Sequence, residues 1–426
     1  MNKRRLQSVL TRLVLLAAGL VLIWPLTPWD AGPRVVVETS PLVAICASII
    51  NRAVGLTAGI GFAFGLLSVF KKRFFCRFIC PTGLLLEGVS HIGLRKLSWW
   101  TRWPPIGQYA AALTLVGALI GYPVLLWMDP MALFSSPFAI PVASDLVSGM
   151  LAGTLLGILL PMTLLLGGVW CGRLCPLGGF QDQLAAVKPI VAGGTKSIIH
   201  WFLSPPRRKG KVTRSRRAVL ASAIGIVFGF WGRHSGLARA ATDDAPLRPP
   251  GAVPEEQFAG VCIRCGNCTA ACPSGIIHPD VTYQGGFAGL LAPTVHYTEK
   301  DEYCLEDCNL CTQVCPSGAL QRLDLPTKNR YIVGEALVDT NICLLTLGKK
   351  ECDVCEVACP FKAVSIKWDD NAYISYPDID TDKCNGCGAC QVACPTDPVK
   401  AISVWSLLTD KSKDGRIIEA KRYLPG

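Results

Sequence analysis

Sixteen of the chain's 21 cysteines fall into four compact groups between residues 262 and 394. They are Cys262-Cys265-Cys268-Cys272, Cys304-Cys308-Cys311-Cys315, Cys343-Cys352-Cys355-Cys359 and Cys384-Cys387-Cys390-Cys394, and each ends at a proline: Pro273, Pro316, Pro360 or Pro395. Groups one and four read C-x2-C-x2-C-x3-C-P, a spacing that wraps iron–sulfur cubes. Four thiolates per group match an inventory of four [4Fe–4S] clusters. Packed closely, four such cubes form a one-electron relay.

The spacing has a physical reason. Three cysteines two residues apart sit on a tight loop around three corners of a cube. The fourth points away as the chain enters a helix, and in two-cluster folds it ligates the neighbouring cube. Gly266, Gly386 and Gly388 let backbone approach the sulfurs without a Cβ. Zinc sites usually split into C-x2-C pairs a dozen or more residues apart. Disulfides suit an exported domain, but a repeated triplet is an odd framework for them. Group two opens with three intervening residues, and group three has eight between Cys343 and Cys352. That insertion reads as a loop over the cube; the alternative is that Cys343 is not a ligand.

A second cysteine motif occurs twice. Cys76-Arg77-Phe78-Ile79-Cys80-Pro81-Thr82-Gly83 and Cys171-Gly172-Arg173-Leu174-Cys175-Pro176-Leu177-Gly178 are copies of C-x3-C-P-x-G. Each follows an apolar stretch, which points to an internal repeat of two helices plus a cysteine loop. If the loops meet, Cys76, Cys80, Cys171 and Cys175 hold one further cluster or a metal; otherwise they are inert buried thiols. Cys46 has no partner pattern and reads as a small apolar core residue.

Composition divides the elements that must position these groups. Half of the residues are hydrophobic, high for a soluble protein. Residues 1–240 carry 25 Lys+Arg against 6 Asp+Glu, a net +19, whereas residues 241–426 carry 17 against 25, a net −8. Nucleic-acid binding is a poor account of the basic excess, which lies in short runs beside apolar stretches. Four stretches are long enough to cross a hydrocarbon core of about 30 Å as helices: Leu13–Trp29, Ala53–Phe70, Ile106–Met128 and Gly149–Trp170. Pro41–Ile50 is too short to span and reads as re-entrant or interfacial. Basic flanks before span one, between spans two and three, and after span four put both ends of this unit on the cytoplasmic side. Ser215-Arg216-Arg217-Ala218-Val219-Leu220, a short apolar run and Leu237-Ala238-Arg239-Ala240-Ala241 make a twin-arginine export signal with cleavage at Ala240 as an open option. Cubes built in the reducing cytoplasm would then cross the membrane already folded.

The first half resembles the four-span ferredoxin-type membrane subunit of periplasmic nitrate reductase systems, the NapH type, with its two C-x3-C-P motifs. The second half resembles the exported four-cluster partner of the NapG and MauM type, including the stretch Leu247-Arg248-Pro249-Pro250-Gly251-Ala252 before Cys262. MauN is similar to the first half. The chain thus reads as a fusion of two polypeptides. The resemblance implies a quinol dehydrogenase that passes electrons from membrane quinol through the sixteen cysteines' clusters to a periplasmic acceptor; it does not carry over which one, and the expected partner is a periplasmic cytochrome, reductase or dehydrogenase. It also implies that groups one and four share one half of the cluster domain, and two and three the other.

The expected architecture is an all-α four-helix transmembrane domain (1–205), a signal or fifth apolar segment with linker (206–245), and an α+β polyferredoxin domain with pseudo-twofold ferredoxin-like halves (246–426). The expected location is the bacterial inner membrane, multi-pass, with the cluster domain in the periplasm. Quinol oxidation releases protons, so acids near helix ends are candidate acceptors: Asp129 first, Glu87 second. Asp129-Pro130 also reads as a helix terminator. Trp29, Trp127 and Trp170 read as interfacial anchors. The five histidines show no pairing that would hold a haem. On this topology the C-x3-C-P loops lie about 30 Å from the clusters, too far for rapid hopping, which favours quinol oxidation at the outer face. The alternative function is a maturation factor for a periplasmic metalloenzyme, since paired cysteines suit soft metals such as Cu(I). A cytoplasmic ferredoxin domain is a third reading, should the twin arginines be accidental.

Overall fold

The structure, a computed structural model, describes residues 3–23, 32–92, 103–140, 146–192, 223–227, 230, 246–281, 289–297, 302–370 and 372–406. The export-signal reading at Ser215–Leu220 and Ala240 lies outside the described residues, as does Trp29.

In the described residues, the first half is helical. Its helices are α1 (Lys3–Ile23), α2 (Gly32–Glu38), α3 (Pro41–Asn51), α4 (Ala58–Phe70), α5 (Phe74–Phe78), α6 (Pro81–Ile92), α7 (Ile106–Ile120), α8 (Pro130–Ser135), α9 (Leu146–Leu166) and α10 (Pro176–Ala192). Prolines start several of them: Pro41 and Pro130 occupy the first turn of α3 and α8, where a missing N–H costs nothing. α7 stops at Gly121, whose left-handed φ of +86° lets its N–H return to Ala118 and Gly117. The expected third span, Ile106–Met128, is therefore a helix to Ile120 followed by a turn and a 3₁₀ segment, Leu126–Met128. The second begins at Ala58 rather than Ala53.

Among the described residues no single helix is long and apolar enough to cross a membrane. The apolar helical stretches are Leu10–Ile23, Ala58–Phe70, Ile106–Ile120 and Gly153–Leu166. α2 and α3 pass the same test together but bend by 102° at their junction, in keeping with a re-entrant Pro41–Ile50. The interior is a single apolar cluster that includes Leu42, Cys46, Phe75, Leu126, Met131, Trp170 and Leu177. Cys46 is fully buried there, as a core residue. Trp170 is 5% exposed and its indole N–H finds no partner, so it is a core side chain rather than an interfacial anchor.

The second half is α+β. Short helices α11 (Glu255–Val261), α12 (Asn267–Ala271), α13 (Leu310–Gln313), α14 (Leu325–Arg330), α15 (Val354–Val357) and α16 (Ala389–Ala393) accompany three antiparallel strand pairs. β1 (Ile277–Pro279) pairs with β2 (Pro293–Val295), and β4 (Val364–Asp369) pairs with β5 (Ile374–Ile379). β3 (Glu335–Val338) pairs with β6 (Ile402–Trp405), with Ala336 opposite Val404. α12 packs on α13 and α15 on α16, so each half holds two cysteine runs. The cysteines themselves build the core: Cys268, Cys272, Cys304, Cys311, Cys355 and Cys384 pack against Ile277, Val295, Ala336, Val364 and Ile402.

The halves of the chain are docked together. Tyr122 lies against Gly260, where any Cβ would meet its ring at 2.7 Å. Leu155 of α9 reaches the first cysteine run. The Arg34 guanidinium donates to the Gln313 carbonyl at 3.5 Å.

Candidate iron–sulfur centres

Twelve of the sixteen cysteines of the second half line three spaces, four to each, and the other four lie together. Site 1 is lined by Cys262, Cys265 and Cys268 with Cys315 from run two. Site 2 is lined by Cys304, Cys308 and Cys311 with Cys272 from run one. Site 3 is lined by Cys343, Cys352 and Cys355 with Cys394 from run four. The remaining four, Cys359, Cys384, Cys387 and Cys390, act electrostatically on one another and form site 4. In each half the fourth cysteine crosses to its neighbour's site.

This pairing corrects the expected one. Run one shares a half with run two, and run three with run four. The reason is local: the short helix inside run one packs on the one inside run two, and the helix inside run three on the one inside run four, and the fourth cysteine sits where such a helix ends. Cys343 stands with Cys352 and Cys355 in spite of the eight-residue insertion, so the insertion is a loop and Cys343 belongs to the site.

The chemistry of the donors fits a cube. Backbone N–H groups point at sulfur: Leu320 to Cys315 Sγ at 3.3 Å, and Ala363 to Cys359 Sγ at 3.2 Å. Such bonds stabilise thiolate against burial. Burial pushes several of the thiols up, Cys355 to about 11 and Cys387 to about 12, so these need iron to ionise. Among the described residues no three His, Cys, Asp or Glu side chains converge on a point suited to a single metal ion. The thiols ring spaces instead.

The sites follow one another. Cys268 of site 1 and Cys311 of site 2 are electrostatic neighbours. The Cys304 N–H of site 2 donates to the Cys387 carbonyl of site 4 at 2.9 Å. Tyr297 fills that junction, and its hydroxyl donates to the Gly386 carbonyl at 2.7 Å. A Cβ at Gly388 would lie 2.4 Å from the Tyr297 ring, so this glycine is required by close approach as well as by its φ of +87°. Site 4 in turn adjoins site 3 through Cys390 and Cys355. The order is 1–2–4–3.

The C-x3-C-P loops meet. Cys76, Cys80, Cys171 and Cys175 are mutual electrostatic neighbours. The pattern's glycine has a plain role: Gly83 donates to Cys80 Sγ at 3.3 Å and Gly178 to Cys175 Sγ at 3.4 Å. Corresponding residues stand 95 positions apart (171 − 76), as do Glu87 and Asp182. The supports repeat too. Arg12 bonds Glu87 at 2.6 Å and the Cys76 carbonyl at 3.3 Å. Arg73 bonds Asp182 at 2.7 and 2.9 Å and the Cys171 carbonyl at 2.9 Å. Gln181 from the second copy donates to Cys76 Sγ at 3.0 Å. These arginines carry no motif of their own, and only the repeat spacing of their carboxylates hints at them.

Asp129 is fully buried. It caps α8 by accepting from the Met131 N–H at 2.9 Å, and it accepts from Ser40 Oγ at 2.7 Å. Burial raises its carboxyl to about 6 against these bonds. The expected helix terminator is therefore a helix start: α7 has already stopped at Gly121, and Asp129 ends only the short Leu126–Met128 segment before it caps α8. Glu87, an exposed partner of Arg12, is a structural ion pair. Trp127 lies under the Arg264 guanidinium, 6.0 Å from its ring centre, at the contact between halves.

The expected 30 Å gap is not present. Thr82, beside Cys80, donates to the Pro130 carbonyl at 2.5 Å. At the other end of α8, Ser135 Oγ donates to the Cys265 carbonyl of site 1 at 3.1 Å. Six helical residues, about 9 Å of rise, separate the two attachments. A short buried helix between the apolar helices brings the loops and site 1 together.

The fold and its paired cysteine runs define a ferredoxin-type iron–sulfur electron-transfer protein. A 4Fe-4S dicluster domain family matches residues 261–319 and 350–397, and a 4Fe-4S binding domain family matches residues 54–99 and 148–191. The second match falls on the two C-x3-C-P copies. The chain is 34% identical to the ferredoxin-type protein NapG of Haemophilus influenzae, over 45% of this chain and 69% of that protein. It is 32% identical to the methylamine utilization ferredoxin-type protein MauM of Methylophilus methylotrophus, over 47% of this chain and 87% of that protein. For NapG of Escherichia coli strain K12 the figures are 34%, 46% and 83%. The chain belongs to this NapG/MauM ferredoxin-type family. No solved structure matches it.

Proposed function

We propose that the protein is a membrane-anchored quinol dehydrogenase, passing electrons from quinol to a periplasmic redox partner. The observation that carries the reading is the line of cysteine sites leading away from the contact at Cys265. One end of that line abuts the apolar, basic half, through Ser135 at Cys265 and Arg34 at Gln313. In bound form the clusters supply one-electron carriers, with the sixteen cysteines as ligands and Cys76, Cys80, Cys171 and Cys175 as ligands of a further one. Oxidation of one quinol yields a quinone, two electrons and two protons. The electrons leave singly for the partner's oxidised centre.

The chain's own residues set the conditions. The four apolar helices hold the protein in the lipid phase, with the cluster half on the periplasmic face after twin-arginine export. Asp129, with a carboxyl poised near 6 and Ser40 beside it, is the proton acceptor, since Glu87 and Asp182 near the same loops are held in ion pairs. It stands within electrostatic reach of Cys76 and Cys80. Arg12 and Arg73 fix the loop carbonyls, and Gly83 and Gly178 direct N–H groups at sulfur.

The test is anaerobic mixing of purified, reconstituted protein with a reduced short-chain quinol, following the visible bleaching of iron–sulfur absorption. Reduction within seconds is expected, and Asp129→Asn should slow it. Clusters that stay oxidised under excess quinol while dithionite reduces them would defeat the reading.

A further inference from the structure

Arg264 stands at a backbone position that glycine fills in the matching run. The second residue inside the first C-x2-C step is Gly386 in run four, with φ +74°, and Arg264 in run one, with φ +55°. A left-handed arginine is strained where glycine would be relaxed, and strain of this kind points to a use for the side chain. That side chain folds back over site 1. Its guanidinium donates to the carbonyls of Leu290 at 2.8 Å, Cys262 at 3.0 Å and Ala259 at 3.4 Å. Arg248, the other guanidinium near this site, is held in a two-point pair with Glu255 at 2.6 and 2.9 Å, so its charge is largely neutralised there.

Site 2 has a counterpart. Lys328 on α14 is only 3% exposed, rare for lysine. Its ammonium donates to the Leu305 carbonyl and bonds Cys304. Site 4 carries the opposite sign: Glu335, half-buried at the start of β3, directly precedes Ala336, whose N–H bonds the Cys384 sulfur. Lys400 reaches the Cys394 carbonyl of site 3 at 2.7 Å. A thiolate-ligated cube is net negative and gains a further negative charge on reduction. A cation held beside it in a low-dielectric interior favours the reduced form, and an anion disfavours it.

We propose that Arg264 and Lys328 raise the reduction potentials of sites 1 and 2, the two cluster sites nearest the apolar half, while Glu335 lowers that of site 4. The consequence rests on the quinol reading: electrons leaving quinol need acceptors of comparatively high potential, and the buried cations place those acceptors at the receiving end. Both are positioning residues, since neither ligates a cluster.

The experiment is a redox titration of the holo protein followed by electron paramagnetic resonance, with iron and acid-labile sulfide measured in every sample. Arg264→Gln and Lys328→Gln should each move one midpoint downward and leave the others in place, at unchanged iron content. Arg264→Lys and Lys328→Arg keep the charge and should hold those midpoints close to wild type. Glu335→Lys changes a half-buried strand residue without touching either cation. It should move a different midpoint upward, and it serves where a neutral variant loses its cluster. Midpoints unmoved in Glu335→Lys, or unmoved in iron-replete neutral variants, would overturn the proposal. Equal shifts in the charge-keeping and neutral variants would assign the effect to packing and overturn it as well. Quinol is absent from this titration, so failure of quinol-driven reduction alongside the expected shifts would sink the quinol reading alone.

Discussion

Cys315 shows how far a residue's role can lie from its place in the motif. It ends run two but closes site 1, with the Leu320 N–H on its sulfur. Substituting Cys315→Ser should therefore remove the same spectral component as Cys262→Ser. The double variant should lose no more than either one, about four irons, by metal analysis and paramagnetic resonance. Asp129 argues for itself differently. Its folded carboxyl sits at about 6, above an ordinary value near 4, so the folded state holds a proton that the unfolded state releases between those values. Its contribution is present at the acid end and is lost as pH rises through about 6. Asp129→Asn keeps a good helix cap and should flatten the fall in thermal midpoint over that window. An unchanged slope would show that another group governs it.

Among elements, the two cysteine loops and α8 matter most. The Arg73–Asp182 strap is the better buried of the two equivalents, with Asp182 9% exposed against 52% for Glu87. Asp182→Asn should therefore cost roughly 3 kcal/mol by stranding a guanidinium, and Glu87→Gln less than about 1 kcal/mol. Denaturation in detergent ranks them, and the reverse order would mean that burial does not set what each strap contributes. In Asp182→Asn the loop at Cys171 should also bind iron less tightly.

For the molecule as a whole, the cofactors and the fold are one problem. The second half has short strands, helices of four to seven residues, and a core in which cysteines take the place of aliphatic side chains. Without iron, those thiols lose the cube that ties the runs to one another and keep only their contacts with a small apolar cluster. Extraction of iron by a chelator under oxidant should unfold residues 246–406 cooperatively, since metal-binding free energy is folding free energy here. Loss of strand signal in circular dichroism would report it. The helical half, with its own aliphatic core around Leu42, Phe75 and Leu177, should persist.

Much of the site was legible in the chain. C-x2-C-x2-C-x3-C-P dictates a loop that curls around one cube and sends its last thiol elsewhere, because three sulfurs two residues apart cannot face apart. The repeated C-x3-C-P-x-G forecast two equivalent loops, and the structure added why its glycine is there, as an N–H donor to sulfur. Which run receives the last thiol was beyond local spacing. It depends on which helices pack, and helices α12 with α13 and α15 with α16 reversed the expected pairing. Likewise, hydropathy could count apolar stretches but could not foresee that Pro130–Ser135 would fold between them. That helix, bonded to Thr82 at one end and Cys265 at the other, turns an apparent gap into a junction. Motifs are set by bond geometry within a few residues, whereas the neighbours of a motif are chosen by burial over the whole chain, and only the assembled tertiary structure contains that choice.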